Sequence, residues 1–148
     1  MTLLIGTWVS EHGYRIGQLS GVDLDRDTHA VHHILVRGGD GSEALERRAF
    51  ATVPKDHFTG DIVLFPLLSG DPAVGDPNPL TLTGETRVRQ GDRLVGRLSS
   101  MEIDPETGEI VAIRGRQHWW NRAFNAPGTQ LDFSVRGEIR VPSVQRAA

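Results

Sequence analysis

The chain has no cysteine in its 148 residues. That excludes a disulfide framework, a thiolate nucleophile and a thiolate metal site, and it fits a reducing compartment. Long apolar runs are also missing. The longest, residues 62–68, is broken by Pro66, whereas a membrane span needs about 20 apolar residues. The first residues, MTLLIGTWV, have no basic region and do not read as a signal peptide. Lysine is nearly absent. Lys55 is the only one among 16 basic residues, and 19 acidic residues bring the net charge to −3. A chain of that sign carries no nucleic-acid footprint, so direct binding to nucleic acid is not expected. No G-x-S-x-G, no P-loop and no G-x-G-x-x-G after a strand occurs. No long amphipathic helix can be drawn; residues 42–48 are the best short candidate. These absences point to a soluble cytoplasmic protein with no cofactor, no catalytic residues and no membrane association except through a partner.

What is present is an internal repeat. Residues 17–37 read GQLSGVDLDRDTHAVHHILVR, and residues 96–116 read GRLSSMEIDPETGEIVAIRGR. Aligned without a gap, Gly17 on Gly96 at an offset of 79, they share seven of 21 positions. The identities are Gly17/Gly96, Leu19/Leu98, Ser20/Ser99, Asp25/Asp104, Thr28/Thr107, Ile34/Ile113 and Arg37/Arg116. A repeat fixes architecture before other signals do. It divides the chain into a first unit over residues 1–68, a Pro/Gly linker over 69–79 and a second unit over 80–148. Units of this size lie near the lower limit for a core without staples, so they are expected to pack on each other or on a partner.

Within each unit, short β-branched and aromatic stretches alternate with turn signals. Asp104-Pro105-Glu106-Thr107-Gly108 is a turn: Asp accepts from the backbone, Pro presets φ, and Gly takes the left-handed position. In the first unit His29 stands where Gly108 does, and histidine is among the residues that tolerate positive φ. Apolar parity changes near Ser20-Gly21 and again at Ser99-Ser100, which predicts a bulge in each copy. Val53-Pro54 matches Val141-Pro142 at an offset of 88, which suggests an insertion of about nine residues near 117–128 and no second-unit equivalent of the strand at 61–67. A unit one strand short would expose an edge. The expected class is all-β, as two tandem small antiparallel barrels in a bilobal unit.

The pattern LVGRLSSMEIDPETGEIVAI with a later RVP, and its counterpart RIGQLSGVDLDRDTHAVHHILV with a later TVP, resembles the PRC-barrel domain. The resemblance implies a small antiparallel barrel used for assembly, as in the cytoplasmic domain of the photosynthetic reaction-centre H subunit and the protein-binding domain of a ribosome-maturation factor. Many such proteins are stand-alone bacterial or archaeal chains. The family has no shared catalytic residues. This chain departs from the H subunit by lacking a transmembrane helix, and from the maturation factor by lacking its separate N-terminal domain.

Three constellations remain. Asp23, Asp25 and Asp27 form a D-x-D-x-D run, but an EF-hand needs Gly and Glu where Thr28 and Ile34 stand, so it reads as an exposed strand face running into a turn. His29 and His33 are weak metal candidates beside His32. On a strand, His32 and His33 point to opposite faces, and the second copy has Val111 and Ala112 there. Trp119, Trp120, Arg122 and Phe124 combine the residue types enriched at interface hot spots and are the candidate partner surface. The expected function is a non-catalytic protein-binding or scaffolding module within a larger complex, whose partner is another protein or a second copy of this chain. The alternatives are a small-ligand or metal site between the barrels, or a ribosome- or RNA-associated assembly factor.

Overall fold

The structure is a computed structural model, and it describes residues 1–38, 45–50, 60–64, 78–117 and 123–146. These contain no helix and thirteen strands. The first half supplies β1 (Thr2–Leu4), β2 (Trp8–Glu11), β3 (Tyr14–Leu24), β4 (Val31–Gly38), β5 (Leu45–Ala49) and β6 (Ile62–Leu64). The second supplies β7 (Leu80–Thr83), β8 (Arg87–Gln90), β9 (Arg93–Ile103), β10 (Ile110–Arg116), β11 (Ala123–Pro127), β12 (Glu138–Val141) and β13 (Gln145–Arg146). They form two sheets. One runs β5-β4-β3-β2-β6 with β7 also on β3; the other runs β12-β8-β9-β10-β11-β13 with β1 also on β9. The protein is all-β.

The repeat carries through to individual hydrogen bonds. Leu19 N–H donates to Thr7 O at 2.8 Å, and Leu98 N–H donates to Thr86 O at 3.0 Å. The parity change is a bulge in both copies. β3 pairs Leu19 with Val36 and then Gly21 with Leu35, skipping Ser20. β9 pairs Leu98 with Gly115 and then Ser100 with Arg114, skipping Ser99. The skipped residue lets Leu19, Val22 and Leu24 all face the core, where each is buried.

The sheets do not follow the halves of the chain. β1 pairs with β9, placing Leu3 opposite Met101, while β7 pairs with β3, placing Leu82 opposite Val22. Each half therefore gives its first strand to the other half's long strand. Leu3 and Leu82 are both buried, in one hydrophobic core that also holds Val9, Ile34, Ile62, Val88, Ile113 and Ile139. A single shared core meets the size argument that neither unit holds enough apolar surface alone. Gly21 permits the crossing, because a Cβ there would meet the Leu82 carbonyl oxygen.

Three expectations are corrected. First, the second half does not lack the strand at 61–67. β12 lies parallel to β8 with Val88 opposite Ile139, just as β6 lies parallel to β2 with Val9 opposite Ile62. The Val-Pro match misled because Ile139, not a later residue, takes the place of Ile62. Second, there is no nine-residue insertion. Arg37 pairs with Leu45 and Arg116 with Ala123, so β5 and β11 correspond at an offset of 78. Third, residues 45–48 are not helical. They belong to β5, whose backbone is paired along β4; tertiary pairing overrides a weak local propensity. Residues 42–44 lie outside the described residues, as do Val53 and Pro54 and all of the expected linker except its last two positions.

Candidate functional site

The two matched turns meet where the halves join. Asp25 Oδ1 accepts from the N–H groups of Asp27 at 2.8 Å and Thr28 at 3.0 Å, and Asp104 Oδ1 accepts from Glu106 at 2.8 Å and Thr107 at 3.4 Å. The Thr28 and Asp27 N–H groups hold the Asp25 carboxyl below the ordinary aspartate range. His29 has φ 57° and Gly108 has φ 77°, so histidine does occupy the left-handed position. Val31 N–H donates to Gly108 O at 2.9 Å and so joins the two turns.

The first strand of each half is fixed by a matched polar contact. Thr81 Oγ1 donates to Asp23 Oδ1 at 2.7 Å, and Arg47 Nε donates to Asp23 Oδ2 at 2.6 Å. At the positions 79 residues away, the Thr2 hydroxyl donates to Glu102, whose other oxygen pairs with the Met1 ammonium at 2.9 Å. The Thr2 hydroxyl, then the ammonium, hold the Glu102 carboxyl below the ordinary glutamate range. Asp23 is therefore not on an exposed strand face: it is 1% exposed. Its burial went unread because the second sheet element that covers it arrives from the other half of the chain.

Beside this junction lies a groove of about 540 Å³. One wall is β7, with Thr86 and Glu85 after it; the other is the segment from Phe133 to Glu138, and Arg26 and Asn78 close one end. The second wall is held in place. Ser134 N–H donates to Asp132 Oδ1 at 2.8 Å, Arg87 N–H donates to Gly137 O at 3.0 Å, and Glu138 N–H donates to Val135 O at 3.1 Å. Phe133 is buried and meets the His29 ring edge-on, with centroids 4.7 Å apart. Val135 is 39% exposed. Glu138 pairs with Arg89 at 2.9 Å, and Glu85 with Arg97 at 2.7 Å. A second depression of about 420 Å³, lined by Ile5, Arg37 and Leu45 among others, shares Thr83 and Glu85 with the first.

Trp119, Trp120 and Arg122 lie outside the described residues. Phe124, read with them as a partner-facing residue, is 2% exposed and packs in the core from β11. Its side chain is turned inward because Phe124 pairs with Gly115, whose missing Cβ leaves space for the ring. The histidines are not gathered. His29 faces Phe133, His33 sits on β4 opposite Asp23, and His32 Nε2 lies 3.6 Å from Asp25 Oδ2. Among the described residues no group of three or more His, Cys, Asp or Glu could hold a metal ion. The groove wall was missed in the sequence, although Phe133 and Val135 alternate there with Asp132, Ser134 and Arg136.

The fold and groove define the class: an all-β protein of two sheets, built from a repeat whose halves exchange their first strands, with an open groove at the exchange. No family model matches the chain, and no curated protein matches it.

Proposed function

We propose that this protein is a non-catalytic protein-binding module that assembles with a larger complex in the cytoplasm. The observation that carries the reading is the groove between β7 and residues 133–138. It is open, walled on one side by a strand edge, and rimmed by exposed Val135 and Arg136. Exposed apolar surface flanked by arginine is the composition of interaction sites. The finer architecture that goes with this reading is a pair of small PRC-barrel-like units. The duplicated Asp-capped turn, the duplicated bulge and the matched first-strand contacts support that pairing. The segment around Trp119, Trp120 and Arg122 remains a second candidate contact on composition alone.

The test is capture from a lysate of the source cells, followed by crosslinking and mass spectrometry. Wild type should retain a stoichiometric protein partner. Either Val135→Asp with Arg136→Glu, or Trp120→Ala with Arg122→Ala, should lose it while the thermal midpoint stays within about 2 °C. A chain that retains no protein, or variants that lose the partner only by unfolding, would overturn the reading. Bound metal at one equivalent in the purified protein would instead favour the ligand-site alternative.

A further inference from the structure

The groove has a property beyond its shape: it exposes an edge of β7 that pairs with no strand among the described residues. β7 meets β3 along one edge, with Leu82 opposite Val22 and Thr81 opposite Asp23. Thr83 N–H is satisfied by Thr86 Oγ1 at 2.9 Å, and Thr83 O accepts from Thr86 N–H at 3.1 Å. Both Thr83 groups are therefore turned away from β3. In an antiparallel pair, alternate residues direct their backbone groups to the same side. Thr81 N–H and C=O are thus turned away from β3 as well, toward the groove that Thr81 lines. The close approach of the Thr81 hydroxyl to Asp23 agrees, since side chains come nearest in the non-hydrogen-bonded pairs of such a ladder. An extended segment lying in the groove would meet a donor and an acceptor at strand spacing.

The charges select the segment. Among the described residues, four charged ones line the groove: Arg26, Arg136, Glu85 and Glu138. Each glutamate already has an arginine outside the groove, Arg97 for Glu85 and Arg89 for Glu138. Asp132, next to the wall, spends an oxygen on Ser134 N–H. Arg136 is exposed on the rim and makes no ion pair among the described residues. Arg26 anchors Nε on the Asn78 carbonyl at 2.6 Å and adds its charge at the other end. Arg136, which has no ion pair among the described residues, sets the sign of the site.

We infer that this groove docks an extended acidic segment of a partner protein, which adds as a short strand to the free edge of β7 and places a carboxylate on Arg136. The inference rests on the protein-binding reading and names the partner's chemistry at that site. Strand addition gives affinity through the backbone, and the alternate side chains give specificity: β-branched residues toward Phe133 and Val135, acidic ones toward the arginine.

The test is selection of displayed linear peptides of about six residues, a typical strand length, on the intact wild-type protein. Selected peptides should carry Asp or Glu at alternate positions with β-branched residues between them. They should slow hydrogen exchange at Thr81 N–H, weaken with added salt, and bind Arg136→Glu about tenfold less well, with Arg136→Ala between. Enrichment of basic or uncharged peptides, unchanged affinity for Arg136→Glu, or unchanged exchange at Thr81 would each overturn the inference. If the native complex of the preceding section forms and survives Arg136→Glu, docking is elsewhere and only this inference fails. If no complex forms, the wider reading fails.

Discussion

Thr81→Val, set beside Thr2→Val, tests the reasoning about strand exchange most directly. The two threonines occupy matched positions of the repeat and donate to matched carboxylates, Asp23 and Glu102. The substitution keeps shape, suits a strand and removes only the hydroxyl donor. The environments differ. The Asp23 side chain is 1% exposed, whereas that of Glu102 is 37% exposed. At Asp23 the new methyl occupies the donor's place, so water cannot replace it, and a hydrogen bond to a charged group is lost for about 2 kcal/mol. At Glu102 water can take over, and the expected loss is under about 0.5 kcal/mol. For a chain of this length, Thr81→Val should lower the thermal midpoint by about 4–8 °C and Thr2→Val by about 1–2 °C. Denaturant titration should show the same order with unchanged slopes. Equal losses at the two sites, or a neutral Thr81→Val, would refute the claim that burial of Asp23 makes the β7 contact the stronger of the two.

Gly21→Ala places a Cβ against the Leu82 carbonyl oxygen, backbone that cannot rotate aside. It should cost about 2 kcal/mol and speed hydrogen exchange at Leu82 N–H; a neutral result in denaturant melts would mean β7 does not sit on β3. The carboxyls of Asp25, Glu102 and Asp132 are all held below their ordinary ranges by hydrogen bonds. A folded value below the unfolded one gives stability that is present above the unfolded value, about 4, and lost as pH falls through the folded one. Thermal midpoints should therefore drop as the pH is taken below about 4; a midpoint that rises on acidification contradicts this.

Much of the fold was readable because its signals are local. A capped turn, a left-handed residue after it and a change of apolar parity depend on neighbours within a few positions, and each recurs in both halves. His29 was assigned to positive φ from the residue that stands in its place at 108, and it is there. The exchange was not readable. β1 and β7 have the same residue pattern whichever long strand they join, since Leu3 and Leu82 need only an apolar face. Spacing by short motifs also failed in one place. Aligning on the short Val-Pro pair shifted β12 out of its true match with β6 and created an insertion that the pairing of β5 and β11 excludes.

The candidate site was hidden for the same reason as the exchange. Its walls come from residues 80–86 and 133–138, with Arg26 from the other half, and no motif joins positions so far apart. Residue-type reasoning drew attention to the tryptophan pair and took Phe124 with it, but on β11 the side chain at 124 fills the space left by Gly115. What does connect the groove to the sequence is the duplication itself. A first strand that stays with its own half could have both edges covered there. A first strand given to the other half is paired on the edge facing its host, as β7 is on β3, and its second edge falls at the seam between sheets. An exposed strand edge is a hazard that proteins cover or blunt, and here the rim beside it carries Arg136 and Val135 in place of a covering strand. Strand exchange thus supplies both the shared core that stabilises two small units and, at β7, an edge at which a further strand can add.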